Sequence, residues 1–124
     1  MIAADSSTWV AFLGGETGDD VQLLDKALAD RQIVMVPPVL TELLGDPKLP
    51  SDTAKILAGV PLVEIGPGYW QRAGELRAKV LARGRRARLG DALIAQCCLD
   101  ADVPLLTRDR DFHAFASSTA LTLL

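Results

Sequence analysis

Residues 105–112 read LLTRDRDF: an apolar pair and Thr107 run, with no turn-forming Gly or Pro, into Arg108, Asp109, Arg110 and Asp111. Few folds give a buried strand a reason to end in fixed charges. Where short parallel strands are covered on both faces by helices, their carboxyl ends open onto a ligand crevice. The stretch therefore reads as the functional edge of an α/β sheet.

The flanking sequence supports that reading. Upstream, LGDALIAQCCLDAD (89–102) has helical spacing, with Leu93, Ile94, Cys97 and Ala101 on one face, and PLLT (104–107) is a strand. Downstream, RDFHAFA is a short helix or turn and ALTLL (120–124) a closing strand. MIAAD (1–5) is a first strand ending at Asp5, and SSTWVAFLGG a helix closed by Gly14 and Gly15. DDVQLLDKALADRQ is a second helix with Asp19 and Asp20 at its favoured N-terminal end. IVMV (33–36) is a second strand stopped by Pro37 and Pro38, with VLTELLGD a short helix behind them. SDTAKILAG is a helix with a Ser or Asp cap, LVEI (62–65) a third strand, and GPGYWQRAGELRAKVLARG a longer helix after its Gly-Pro-Gly turn. Alternating strands and helices predict a three-layer α/β/α sandwich around a parallel sheet of about five strands.

At 124 residues, 49% hydrophobic and 23% charged, the chain is expected to form a single domain over residues 1–124. It has no apolar run long enough to suggest a membrane span and no signal-peptide pattern, so no membrane role and a cytoplasmic location are expected. Adjacent Cys97 and Cys98 lack metal-ligand spacing and read as reduced, with at least Cys97 in the core. Residues 1–64 carry net −6 and residues 65–124 net +3, within an overall −3. Seven bases fall between Arg72 and Arg88 with only Glu75 opposing, a density that suits either a phosphate backbone or a solvated helix face.

Strand ends now locate the acids. Asp5 closes the first strand and Asp109 lies two residues past the fourth; Glu42 is one turn into its helix and Asp91 opens another. Each has an ordinary role open to it: Asp5, Asp91 and Asp109 as helix caps, Glu42 as a solvated residue. Clustered, they repel: two carboxylates about 5 Å apart cost roughly 3 kcal/mol at an effective dielectric of 20. Protons or a cation must neutralise such a cluster, and oxygen ligands without a His or Cys set select Mg²⁺ or Mn²⁺. A site of this kind suits phosphodiester hydrolysis.

Other chemistries fit less well. A haloacid-dehalogenase-type phosphatase needs an Asp where Ser7 stands, and a receiver domain needs a late Lys where none follows Lys79. No phosphate-binding glycine loop is present. Ser6 and Ser7 have no positional partner in His113, the only histidine, and Trp9, Tyr69 and Trp70 sit at helical positions that suit packing.

AADSSTWVAFL (3–13), VPPVLTELLGDP (36–47) and GDALIAQCCLDADVPLLTRDRDF (90–112) together resemble a PIN domain, and more narrowly the VapC-type toxins of toxin–antitoxin pairs, across essentially the whole chain. The resemblance implies an Mg²⁺- or Mn²⁺-dependent endoribonuclease whose acidic quartet is Asp5, Glu42, Asp91 and Asp109. It places Thr107 beside the quartet and Ser7 near the first carboxylate, with Asp111 a rival to Asp109 as the fourth acid. Arg86, Arg88 or Arg108 would steady the RNA. It further implies a VapB-like antitoxin, DNA contact only through that antitoxin, and a toxin homodimer. A PIN-like module that binds RNA or protein without cutting is the alternative from another class.

Overall fold

A computed structural model describes all 124 residues. The elements are β1 (Ala3–Ala4), α1 (Ser6–Leu13), α2 (Asp19–Ala29), α3 (Pro37–Leu44), α4 (Ser51–Ala58), α5 (Tyr69–Ala82), α6 (Leu89–Ala101), β2 (Leu105–Leu106) and α7 (Phe112–Ser118). This is an α/β arrangement in which β1 and β2 lie side by side and parallel, Ala3 opposite Leu105 and Ala4 opposite Leu106. Asp5 N donates to the Leu106 carbonyl at 3.0 Å. The carboxyl ends of the first and last-but-one strands are therefore adjacent.

A regular sheet of five strands is not established, although the five expected segments do line up in parallel. Only β1 and β2 make a ladder; the other three segments are held by single parallel bridges, Ile2 to Ile33, Met35 to Leu62 and Leu105 to Leu123. Proline explains much of the shortness. Pro61 and Pro104 precede Leu62 and Leu105 and offer no N–H, and Pro37 follows Met35 by two residues.

Proline also moves a boundary. Pro37 and Pro38 do not stand outside the third helix but occupy its first two positions, where a missing N–H costs nothing. The expected Ser or Asp cap on α4 is likewise absent: Pro50 takes the capping position and Ser51 is already helical. Asp91 is not a cap either. Arg88 precedes α6 and Asp91 sits in its first turn.

The core is one cluster of 28 buried residues, with Trp9, Tyr69, Phe112 and Phe115 its largest members. α6 runs through it, packing on α5, α3 and α7. Ile94 to Cys98 are all buried, both cysteines among them, whereas Ala101 is exposed, so α6 has no single apolar face. No helix is long and apolar enough to cross a membrane.

Candidate metal centre at the β1–β2 edge

Asp5 is the most constrained of the acids. It is 4% exposed and follows β1 directly, capping α1 by accepting from Thr8 N at 3.2 Å. Ser7 Oγ donates to its Oδ1 and Thr107 Oγ1 to its Oδ2, each at 2.6 Å. Burial pushes the Asp5 carboxyl above its ordinary range; these hydrogen bonds oppose the shift and the Asp109 charge adds to it.

The two hydroxyls are relays. Thr107 Oγ1 also accepts from Asp109 N at 2.9 Å, and Ser7 Oγ accepts from Arg108 N at 2.9 Å. Thr107 and Ser7 thus tie the chain just past β2 to the carboxylate at the end of β1. Asp109 Oδ1 in turn accepts from Asp111 N at 2.9 Å, turning the chain into α7.

Asp91, Asp109 and Asp111 bring carboxylate oxygens within 4.8 Å of one another. Asp109 and Asp111 are therefore neighbours in one cluster. Asp91 is pushed up to about 6, by burial first and then by Asp109, with Asp111 and Asp5 adding and Arg88 opposing. Its Oδ2 is buried without a hydrogen-bond partner. Four aspartates from the ends of β1 and β2 and the start of α6 thus act on one another.

Glu42 is not one of the three acids of that close group. It is exposed on α3 and lines a groove of about 450 Å³ with Ser6, Val10, Leu43 and Lys48. The groove meets the acidic edge at Ser6, next in sequence to Asp5.

The candidate arginines divide. Arg86 Nη1 lies 3.8 Å from Asp111 Oδ2 with its side chain 64% exposed, and Arg88 is exposed beside Asp91. Arg108 is engaged elsewhere: its Nε reaches Asp20 Oδ2 at 2.7 Å, and its Nη2 reaches Asp20 Oδ1 at 3.1 Å and the Thr17 carbonyl at 2.7 Å. Thr8 and Asp20, absent from the sequence-based set, join the network through Thr8 Oγ1, which donates to Asp20 Oδ2 at 3.0 Å. His113 is exposed and Tyr69 buried, its hydroxyl donating to the Leu93 carbonyl.

The donor set tests well for a hard divalent cation: all oxygen, closely grouped, with one buried carboxylate oxygen unsatisfied. No His or Cys stands in the cluster to favour a softer ion.

A family model described as the PIN domain matches residues 2–117. The chain is similar in structure to a VapBC-5 toxin–antitoxin system protein from Mycobacterium tuberculosis, at 21% identity and TM-score 0.70, over 99% of this chain and 96% of that one. It is similar to VapBC2 from Rickettsia felis, solved with a promoter DNA fragment, at 19% identity and TM-score 0.73, over 100% and 98% of the chains. It is also similar to FitAcB from Neisseria gonorrhoeae, at 18% identity and TM-score 0.71, over 100% and 96%. At such identities the likeness bears on the fold. No curated protein sequence matches the chain.

Proposed function

The chain belongs to the PIN-domain family, and from that premise we propose that it is a divalent-metal-dependent endoribonuclease, the toxin of a VapBC-type pair. The observation that carries the reading is the cluster of Asp91, Asp109 and Asp111 with its unpartnered Asp91 Oδ2. Mutual repulsion in such a group is a cost that a bound cation would offset.

Asp91 and Asp109 would hold Mg²⁺ or Mn²⁺ together with Asp5 and Glu42, with Asp111 alongside. A cation bound there would supply an activated water and an offset for charge on the scissile phosphate. Asp5 contributes an oriented carboxylate, since Ser7, Thr8 and Thr107 leave it little freedom to turn. Asp91, whose carboxyl is pushed up to about 6 by burial and by the neighbouring acids, would be the ligand whose ionised form a bound cation favours most. Arg86 and Arg88, exposed beside the acids, would meet the RNA backbone.

A VapB-like antitoxin is the proposed partner, supported by the structural likeness to VapBC and FitAcB proteins, one of them bound to promoter DNA. DNA would be reached only through that antitoxin. A homodimer would extend the RNA-binding groove.

The test is cleavage of a mixed RNA pool by the purified, partner-free chain with Mn²⁺ or Mg²⁺. Activity should vanish in chelator and fall at least a hundredfold in Asp91→Asn. Because the attacking oxygen comes from water and not from the 2′-hydroxyl, the products should carry no 2′,3′-cyclic phosphate. Retention of RNA without metal-dependent cutting would instead support a binding module.

A further inference from the structure

We propose that Arg108 is a positioning residue that straps the acidic edge to the N-terminus of α2, and that it does not contact RNA. The metal part of this proposal rests on the nuclease reading; the strap itself does not.

The hydrogen bonds close a ring. Arg108 N donates to Ser7 Oγ, which donates to Asp5 Oδ1; Asp5 Oδ1 accepts from Thr8 N; and Thr8 Oγ1 donates to Asp20 Oδ2, which also accepts from Arg108 Nε. The backbone of Arg108 thus reaches Asp5 by one route and its side chain by another. A second branch runs through Thr107, which holds Asp5 Oδ2 and the Asp109 amide. The residue pair Thr107–Arg108 therefore orients the Asp5 carboxylate and fixes the backbone that carries Asp109.

The side chain is poorly placed to receive a phosphate. The guanidinium spans both Asp20 oxygens and the Thr17 carbonyl, with Glu16 Oε1 3.7 Å from Nη1. One positive charge beside two carboxylates leaves the group net negative, which repels RNA. The facing loop is shaped to admit it. Gly18 has φ 150°, and a Cβ there would lie 2.7 Å from Arg108 Nη2 and 2.6 Å from Asp20 Oδ1. A planar fork meeting a carboxylate and a carbonyl at once is a task for Arg that Lys does not reproduce.

The experiment compares Arg108→Ala, Arg108→Lys and Asp20→Asn with wild type in three measurements: amide hydrogen exchange, Mn²⁺ affinity, and RNA affinity in chelator. Exchange at Thr8, residue 108 and Asp109 should speed up at least tenfold in Arg108→Ala and in Asp20→Asn, with Arg108→Lys between them and wild type. Mn²⁺ affinity should fall three- to tenfold in the same order, and the double variant Arg108→Ala/Asp20→Asn should be no worse than the poorer single. RNA affinity in chelator should stay within twofold. A residue with a merely structural role would lower the unfolding temperature and leave the metal affinity of the folded protein unmoved. Unchanged exchange in the variants, or RNA affinity falling fivefold or more in Arg108→Ala but not in Asp20→Asn, would overturn the strap. Absence of Mn²⁺ binding by wild type would overturn the nuclease reading alone, with the exchange rates still deciding the strap.

Discussion

Asp91 shows how much one carboxyl group can reveal about a site. In the metal-free protein its pKa of about 6, against 3.8 in an unfolded chain, means the folded state binds the proton more tightly. Between those values the native state carries more protons than the unfolded one, so this group's contribution to stability falls as pH rises from about 4 to about 6 and stays low above that. Asp91→Asn in chelator should therefore be more stable than wild type at pH 7, by about 1–2 kcal/mol. That is less than the full shift implies, because the group is partly solvated. The gain should disappear near pH 4; urea unfolding at the two pH values checks it. Thr107→Val leaves Asp5 Oδ2 without its donor and Asp109 N without its acceptor, and should cost about 1–3 kcal/mol in the same assay, with Thr107→Ser recovering most of it. Asp5 was readable from sequence because it closes the first strand, whereas Ser7 and Thr107 were implied by the family resemblance; the structure joins all three by hydrogen bonds. The pairing of Arg108 with Asp20 was not readable, since those residues are 88 apart and Asp20 reads equally well as a helix-start acid.

At the scale of elements, helices were easier to read than strands. Spacing and stop signals locate α1, α2 and α5 closely, because caps and apolar periodicity act within one turn. The strands are two-residue pairs or single bridges, and an apolar run of four residues does not say how many of them will pair. α6 misled in a different way. Its Ile94–Cys98 stretch is covered all round, so a one-faced pattern ending at Ala101 was the wrong model. The loop before α2 makes a sharper prediction. Gly18, at φ 150° and ψ 160°, occupies a backbone region open almost only to glycine. Gly18→Ala should cost about 1–3 kcal/mol in thermal or urea unfolding and should also speed exchange at Asp109, because the new Cβ displaces Arg108.

Across the whole molecule, the parallel pairing of β1 with β2 brings together Asp5 and Asp109, acids more than a hundred residues apart in the chain. The order of strands and helices made that meeting predictable; the close grouping of Asp111 with Asp91 and Asp109 needed the structure. Charge is divided on the same scale, with an acidic first half and a basic second half whose exposed Arg86 and Arg88 flank the acids. If those two arginines meet single-stranded RNA, each released counterion contributes to the salt dependence. Replacing either by Ala should lower the log–log slope of RNA affinity against salt by about 0.7, measured in chelator. Arg108→Ala should leave the slope unchanged.

The most direct test of the metal centre is a calorimetric Mn²⁺ titration of the partner-free chain and of Asp91→Asn at pH 7, where the wild-type carboxyl is ionised. A site built on Asp91 should give saturable binding in wild type, at least tenfold weaker in the variant, a difference of about 1.4 kcal/mol. Equal binding by the two proteins, or none by either, would contradict it.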